Sequence, residues 1–161
     1  MPLITLKTRI YAPPERCFDL STSIDLHKLS AEHTEEEAIG GRTQGLLQLH
    51  EQVTWRAKHL GVWFTMTMRI SAYERPTYFC DEMVQGPFRS LVHEHYFEKK
   101  EETTLMTDKF RFVSPAGALG RWADTVILKR HFTELLLTRN ESIKTCAETN
   151  RWQELLPNQS R

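Results

Sequence analysis

The chain has 161 residues, which is the usual size of one domain and enough to bury a sizeable core. Its 21 Lys and Arg residues balance 21 Asp and Glu residues, so no charge excess predicts binding to nucleic acid or to an anionic membrane surface. The apolar stretches are too short to span a bilayer. We therefore predict one domain over residues 1–161, with no nucleic acid partner and no stable membrane insertion.

The cysteines and the absence of familiar motifs narrow the class of protein further. Cys17, Cys80 and Cys146 are odd in number and widely spaced, and no CxxC occurs, so neither a disulfide framework nor a zinc ribbon is predicted. The N-terminus lacks the apolar run of a signal peptide, which favours a reduced, cytoplasmic protein. Signatures of nucleotide binding, zincins and serine hydrolases are absent. We predict no cofactor and no metal.

The chain begins with a predicted strand and two short helices. Residues 3–11 alternate in polarity, which is typical of a strand. Two prolines then suit the first turn of a helix, so a short helix should extend to about Leu20. Asp25 is a predicted cap for a second short helix that ends at about Leu29.

The middle of the chain is predicted to form about six strands. The clearest alternation starts at Val62, after a turn at Gly61, and places every second residue of an apolar series on one face. The last two strands form a predicted hairpin around the charged tip at residues 99–102. The six predicted strands span residues 33–39, 52–59, 62–72, 77–84, 89–98 and 104–113.

A long helix is predicted to follow the strands. From about Leu119 the apolar residues recur at helical spacing for some 28 residues. The tail at residues 152–161 is predicted to be frayed, so the core covers about residues 3–145. Consecutive strands favour antiparallel pairing, and the long helix is the only element large enough to cover one face of the sheet. This order predicts an α+β domain.

Three segments carry a resemblance to a known superfamily. They are residues 11–19 (YAPPERCFD), the pair GPF and HEHYF within residues 86–97, and residues 112–120 (FVSPAGALG). Over about residues 3–145 the chain resembles the superfamily of START lipid-transfer domains, birch-pollen-allergen-like proteins and polyketide cyclase/dehydrase-like proteins, and within it the bacterial ligand-binding members. The resemblance implies a helix-grip fold, in which a curved seven-stranded antiparallel sheet holds a long C-terminal helix around an apolar tunnel. It disfavours the Rieske branch, whose Cys and His pairs this chain lacks.

Two histidines and one aspartate are the candidate polar groups of such a tunnel. His93, His95 and Phe97 alternate, so they share one face of their strand. Asp108 and Phe110 share a face of the partner strand in the predicted hairpin. If the two phenylalanines face the helix, then the histidines and the aspartate face it too. A contact between His and Asp would satisfy both groups in an apolar cavity.

Three interpretations of these polar groups stay open. They are hydrogen-bonded core residues, or residues that face solvent if the face assignment is inverted. They orient the polar end of a ligand. They are a chemical site, in which His93 or His95 acts as general base and Asp108 orients it, or in which the histidines hold zinc with His59 or Asp108 as a further ligand.

An apolar wall is predicted on the neighbouring strands. Phe64, Met66 and Met68 share a face, which is either plain core or a wall that adapts to a ligand because methionine repacks easily. Trp55 either fills the core or stacks on a ligand, and Trp122 either anchors the long helix or closes one end of the tunnel. The predicted ligand-binding residues are Trp55, Phe64, Met66, Met68, His93, His95, Phe97, Asp108, Phe110 and Trp122.

The expected partner is a small hydrophobic or amphipathic molecule, such as a lipid, an isoprenoid or an aromatic polyketide. One alternative is an enzyme of the cyclase or dehydratase type that uses His93 or His95 with Asp108. The other alternative is a protein-interaction module, which predicts a filled core with no cavity of ligand size.

Overall fold

The computed structural model describes residues 2–115 and 127–156, and within these ranges seven strands form one antiparallel sheet. The strand order is β1-β7-β6-β5-β4-β3-β2, so the chain runs as a meander and the first strand closes against the last. The strands are β1 (Leu3–Ile10), β2 (Glu37–Gly41), β3 (Gln52–His59), β4 (Val62–Glu74), β5 (Tyr78–Gln85), β6 (Ser90–Lys100) and β7 (Thr103–Val113). The predicted helix-grip architecture is confirmed.

The hairpin of β6 and β7 has a shorter tip than the sequence suggests. Lys100 pairs with Thr103, which leaves only Glu101 and Glu102 in the turn. Glu101 has a left-handed φ of 55°, the backbone conformation that tight hairpin turns require. This tip fixes the register that places His95 directly opposite Asp108.

Two short helices follow β1, as predicted. The first, α1, spans Pro14–Thr22 and has a proline in its first turn. The second, α2, spans Ile24–Ser30, and its cap is Ser23, whose side chain accepts a hydrogen bond from the Leu26 amide at 3.2 Å. The prediction of Asp25 as the cap is therefore wrong. Asp25 is the second residue of the helix, and its carboxylate accepts a hydrogen bond from the Gly45 amide at 2.9 Å.

The predicted strand over residues 33–39 is wrong in its first half. Glu32–Thr34 form a turn of 3-10 helix, and Glu35 then adopts a left-handed backbone with φ of 53°. A residue in that conformation cannot continue an extended strand, so β2 begins only at Glu37. His33 and Glu36 consequently lie on an irregular segment beside the sheet rather than in it.

The long helix, α3, spans Lys129–Glu148 in the described part of the chain. The predicted start near Leu119 lies outside the described residues, and so does Trp122. The helix packs against β1, α1 and α2. Its buried residues recur every three or four positions, which is the period of one helix face. They are Phe132, Leu136, Asn140, Ile143, Cys146 and Ala147. None of the helices within residues 2–115 and 127–156 is long and apolar enough to cross a membrane.

The start of the tail is packed rather than frayed. Residues Trp152–Leu155 form a further short helix, α4. The guanidinium of Arg16 lies 4.2 Å from the ring centre of Trp152, and Leu156 is buried. These contacts anchor residues 152–156 against α1, which the polar composition of the tail does not predict.

The apolar interior divides into two clusters. One packs α1 and the C-terminal part of α3 against the sheet, and Phe18 is its central ring, with Phe79 and Phe97 around it. The other surrounds Phe110 and Phe132, which pack with their ring centres 5.1 Å apart. The second cluster forms much of the wall of an internal cavity.

Candidate functional site

A cavity of about 160 Å³ lies between the sheet and the helices α2 and α3. Most of its walls are apolar, and the sheet supplies the larger part of them. The principal apolar lining residues are Ile24, Val53, Trp55, Met66, Met68, Leu91, Phe110, Phe132 and Leu136. The presence of a cavity does not agree with the interaction-module alternative, which predicts a filled core.

Five of the ten predicted ligand-binding residues line this cavity. Trp55 on β3 is 5% exposed and stacks on the ring of His27, with ring centres 4.3 Å apart. Met66 and Met68 follow on β4, directly opposite Trp55 and Val53. His93 on β6 and Phe110 on β7 complete the set and are direct cross-strand neighbours.

Four predicted residues do not line the cavity, although the sequence places all of them on its wall. Phe97 packs into the apolar cluster around Phe18. The face of the sheet that it shares with His93 contributes to both apolar clusters, and only the other cluster forms most of the cavity wall. Phe64 is half-buried near the start of β4, with its ring centre 6.4 Å from that of His59. His95 and Asp108 lie behind the lining, and the remaining predicted residue, Trp122, is outside the described residues.

The buried carboxylate of Asp108 is the centre of a polar network. Its Oδ1 lies 3.0 Å from His93 Nε2, and its Oδ2 accepts a hydrogen bond from Asn140 Nδ2 at 2.7 Å. His95 Nδ1 is also 3.0 Å from Oδ1, in a direction that is poor for a hydrogen bond. Asp108 is fully buried, so these contacts replace the water that a carboxylate otherwise requires.

The network continues onto β5 through Asp81. The register of β5 and β6 places Asp81 directly opposite His93. Asp81 Oδ1 lies 2.8 Å from His95 Nε2, so the His95 ring has a carboxylate beside each of its two nitrogens. Asp81 also lines the cavity and connects the network to it.

Burial and charge set the protonation states of this network. Burial alone would raise the pKa of Asp108, but His93 and His95 outweigh it and hold that pKa well below the usual value. Burial, with the neighbouring His95, lowers the pKa of His93 to about 4. Burial also acts to raise the pKa of Asp81, yet the contact with His95 brings the net pKa below its ordinary value. The carboxylates are therefore ionised and His93 is neutral near pH 7.

Arg139 on α3 is the cationic member of the site. Its Nη2 donates a hydrogen bond to the Ser21 carbonyl at 2.9 Å, which fixes the guanidinium beside the cavity. Its Nη1 is 3.8 Å from Asp108 Oδ1 and has no hydrogen-bond partner among residues 2–115 and 127–156. The side chain is only 12% exposed. A buried donor without an acceptor is costly, and it is a place where a ligand oxygen is expected.

A second histidine group lies on the β2–β3 side of the cavity and consists of His27, His33, His59 and His131 with Glu36. His27 Nε2 is 3.3 Å from Glu36 Oε1, and His131 Nε2 on α3 is 3.2 Å from His59 Nδ1 at the end of β3. Burial lowers the pKa of both His59 and His131. This group bridges the sheet and the long helix.

One set of side chains in the described part of the chain has the spacing of a metal site. Asp81, His93 and His95 each offer a ligand atom, and these atoms all lie within 4.8 Å of one another. His59 and Asp108, the further zinc ligands considered from the sequence, are not members of this set.

Sequence reasoning missed Asp81, Arg139 and Asn140. A signal for Asp81 exists: a hairpin centred on Pro87 in the predicted turn pairs Asp81 with His93, which the structure shows. Arg139 and Asn140 carry no comparable signal, because polar residues on an amphipathic helix usually mark its solvent face.

Comparisons with known proteins identify solved structures that have the same fold. No protein-family model and no curated protein matches the sequence. A solved protein from Thermus thermophilus is 16% identical, with 91% of this chain and 99% of that chain covered at a TM-score of 0.71. A START superfamily protein from Mycobacterium smegmatis is 9% identical, with 91% and 97% covered and a TM-score of 0.68. The major latex-like protein 151 from Panax ginseng is 15% identical, with 92% and 98% covered and a TM-score of 0.67. At these identities the chain shares their fold.

Proposed function

We propose that the chain binds a small molecule that has an apolar body of about one ring and one anionic or carbonyl oxygen. The observation that carries the proposal is the cavity itself, whose surface is mostly apolar. Arg139, His93 and Asp81 reach it, and so do members of the second histidine group and several hydroxyl side chains. Apolar walls with a few placed polar groups are the usual composition of a small-molecule site. The resemblance in sequence implies the same class of function.

The volume of the cavity selects the size of the ligand. Typical sites for drug-sized ligands enclose roughly 300–1,000 Å³. The cavity has about 160 Å³, close to the engineered apolar cavity of about 150 Å³ that accepts benzene. Of the ligands expected from the sequence, a compact aromatic fits this space better than a long-chain lipid or isoprenoid.

Arg139 selects the polar end of the ligand. The Arg139 side chain lines the cavity, and its Nη1 is a buried donor with no acceptor in the described part of the chain. An oxygen of the ligand that accepts from this nitrogen removes the cost of the unpaired donor. A charged carboxylate or phenolate oxygen makes the stronger bond, because both partners are then ionised.

We favour binding over catalysis by proton abstraction. A general base works best when its pKa is near the working pH, and burial lowers the pKa of His93 to about 4. His95 does not line the cavity, and its ring stacks on Phe79 with centres 4.0 Å apart. Neither histidine therefore meets the requirements that the enzyme alternative places on it.

Binding of matched small ligands tests the proposal. We expect benzoate to raise the thermal midpoint of the protein and to bind more tightly than toluene, and palmitate to give no shift. Replacing Arg139 with Met keeps the length of the side chain and removes the charge, so benzoate affinity should fall by about 10–100-fold while toluene affinity changes little. Calorimetric titration of the wild type and the variant measures both effects.

Arg130→Met is the matched control, because Arg130 lies on the same helix and its side chain is 83% exposed. It should leave benzoate affinity unchanged. Native mass spectrometry of gently purified protein adds an independent readout, for which we expect a co-purified molecule of small mass. Failure of every ring compound to bind, or tight binding of palmitate alone, would contradict the proposal.

A further inference from the structure

We propose that Asp81, His93 and His95 form a binding site for a divalent transition-metal ion of the zinc class, with an open coordination position toward the cavity. The inference rests on the arrangement of these three side chains and their supports. It needs no assumption about the small molecule that occupies the cavity.

The sheet itself positions the three ligands. Asp81 on β5 and His93 on β6 are direct cross-strand partners, and His95 is two residues further along the same face of β6. Their ligand atoms lie within 4.8 Å of one another. Bonds of about 2.0–2.2 Å in a tetrahedral zinc site separate its ligand atoms by roughly 3.3–3.5 Å. Small side-chain rotations therefore suffice to close the site around one ion.

Asp108 supports the site in the way that zinc sites usually require. Its Oδ1 is 3.0 Å from Nε2 of His93 and 3.0 Å from Nδ1 of His95. With Asp108 beside these two nitrogens, the ion would bind through Nδ1 of His93 and Nε2 of His95, and Nε2 of His95 already lies 2.8 Å from Asp81 Oδ1. Histidines that bind metal commonly direct the other ring nitrogen toward a carboxylate, which fixes the tautomer and the ring orientation.

Asn140 completes this support from the long helix. It donates a hydrogen bond to the second oxygen of Asp108 at 2.7 Å and another to Thr8 Oγ1 at 3.2 Å. Asn140 therefore holds Oδ2 of the carboxylate, while the two histidines lie at Oδ1. His95 Nδ1 is buried and lacks a hydrogen bond in the described part of the chain. An ion on Nε2 places the ring proton on Nδ1, 3.0 Å from Asp108 Oδ1, and a rotation of the ring is then needed to direct that proton at the oxygen.

The charges of the site agree with a divalent cation. Two carboxylates, Asp81 and Asp108, and one guanidinium, Arg139, give a formal charge of −1 when the histidines are neutral. A divalent ion changes this to +1, which an anionic ligand oxygen in the open position then balances. Asp81 and His93 line the cavity, so the open position faces it. Catalytic zinc sites have this composition of three protein ligands and one exchangeable position.

A titration of the full chain with metal ions tests the inference. After treatment with a chelator, we expect one Zn²⁺ to bind per chain by calorimetry, and one Co²⁺ to produce the visible absorption of tetrahedral cobalt. Asp81→Asn removes one ligand charge at a partly exposed position, and it should weaken Zn²⁺ binding by at least about tenfold. Asp108→Asn should weaken it by about 10–100-fold through the positioning of the histidines.

The second histidine group provides the competing site and the control. His59 Nδ1 and His131 Nε2 are 3.2 Å apart, so two nitrogens there could also approach an ion. His59→Ala should leave the affinity and the cobalt spectrum unchanged. Absence of stoichiometric binding to the wild-type chain overturns the inference. So does loss of binding in His59→Ala with binding retained in Asp81→Asn. Circular dichroism checks that each variant is folded. If a variant does not fold, the titration of the wild-type chain alone decides whether the metal ion binds.

Discussion

A single buried residue, Asp108, explains much of the chemistry at this site, because its ionised carboxylate requires polar partners in place of water. Its carboxylate is fully buried and ionised, and it is stabilised by contacts from His93, His95 and Asn140. A buried charge is tolerated only when its partners remain in place, because removal of one partner exposes the cost of desolvation. The strength of the network therefore depends on neutral neighbours as much as on charged ones.

Replacement of Asn140 with Ala tests that dependence. The variant removes the donor to Asp108 Oδ2 and leaves a small space in the interior, so we expect the free energy of unfolding to fall by about 1–3 kcal/mol. Urea denaturation measures the difference. Asn150→Ala is the control, because Asn150 is exposed, and it should change stability by less than about 0.5 kcal/mol. Equal effects of the two substitutions would mean that Asn140 does not support the carboxylate.

The sequence predicted part of this network for a clear physical reason. Alternation along a strand assigns residues to faces, so His93, His95 and Asp108 were expected on the same side of the sheet. It does not assign depth along that face. Phe97 and His95 therefore lie on the predicted face, yet away from the cavity. Asn140 could not be predicted as a site residue, because the residue type alone does not show whether an asparagine on a helix is buried or exposed.

The element that organises the site is the long helix α3. The same face that packs Phe132, Leu136 and Ile143 into the core also presents Arg139 and Asn140 to the polar network. Apolar packing against β1, α1 and α2 fixes the position of the helix. Apolar packing therefore sets where Arg139 and Asn140 lie, and the hydrogen bonds of these two residues add to a position already fixed.

Packing of α3 should therefore be sensitive to substitution on one face only. Ile143 is fully buried, and Ile143→Ala should lower the free energy of unfolding by about 2–5 kcal/mol because it leaves a cavity. Leu137 lies on the same helix and is 52% exposed, so Leu137→Ala should cost less than about 0.5 kcal/mol. Guanidinium denaturation of the two variants measures the contrast. Comparable losses would show that the helix is not docked through the Ile143 face.

The elements themselves were predicted well where a pattern covers their whole length. The strand over residues 52–59 matches β3 at both ends. The segment at residues 33–39 was wrong because its polar residues have no strong period, and the left-handed backbone at Glu35 interrupts it. The short helix that begins at Trp152 was missed because the contact of Trp152 with Arg16 and the burial of Leu156, rather than local sequence, hold it.

At the scale of the whole molecule, the histidines concentrate around the cavity. The chain has seven histidines. His27, His33, His59 and His93 line the cavity, while His95 and His131 contact residues that line it. Only His50 lies elsewhere in the described structure. Imidazole groups are therefore concentrated around the interior of the fold, and the second histidine group links the sheet to the long helix.

This arrangement predicts that the stability of the fold falls as the pH is lowered through about 6.5. Burial lowers the pKa of His59 and of His131 below their ordinary value of 6.5 in the folded chain. The unfolded chain therefore binds more protons than the folded chain at and below that pH, and acidification favours unfolding. Glu36 opposes the shift of His59 and Glu134 opposes that of His131, whereas His33 strengthens both.

Urea denaturation at pH 7.5 and at pH 5.5 measures this linkage. Each histidine replaced by asparagine no longer titrates. Its replacement should therefore reduce the slope of the free energy of unfolding against pH, by at most about 1.4 kcal/mol per pH unit. We therefore expect a smaller loss of stability between the two pH values in His59→Asn and in His131→Asn than in the wild type. His93 is unchanged in all of these chains, so its own contribution cancels in the comparison. His50→Asn alters an exposed histidine and should match the wild type. If the His59 and His131 variants also match it, the bridge between sheet and helix does not control the response to acid.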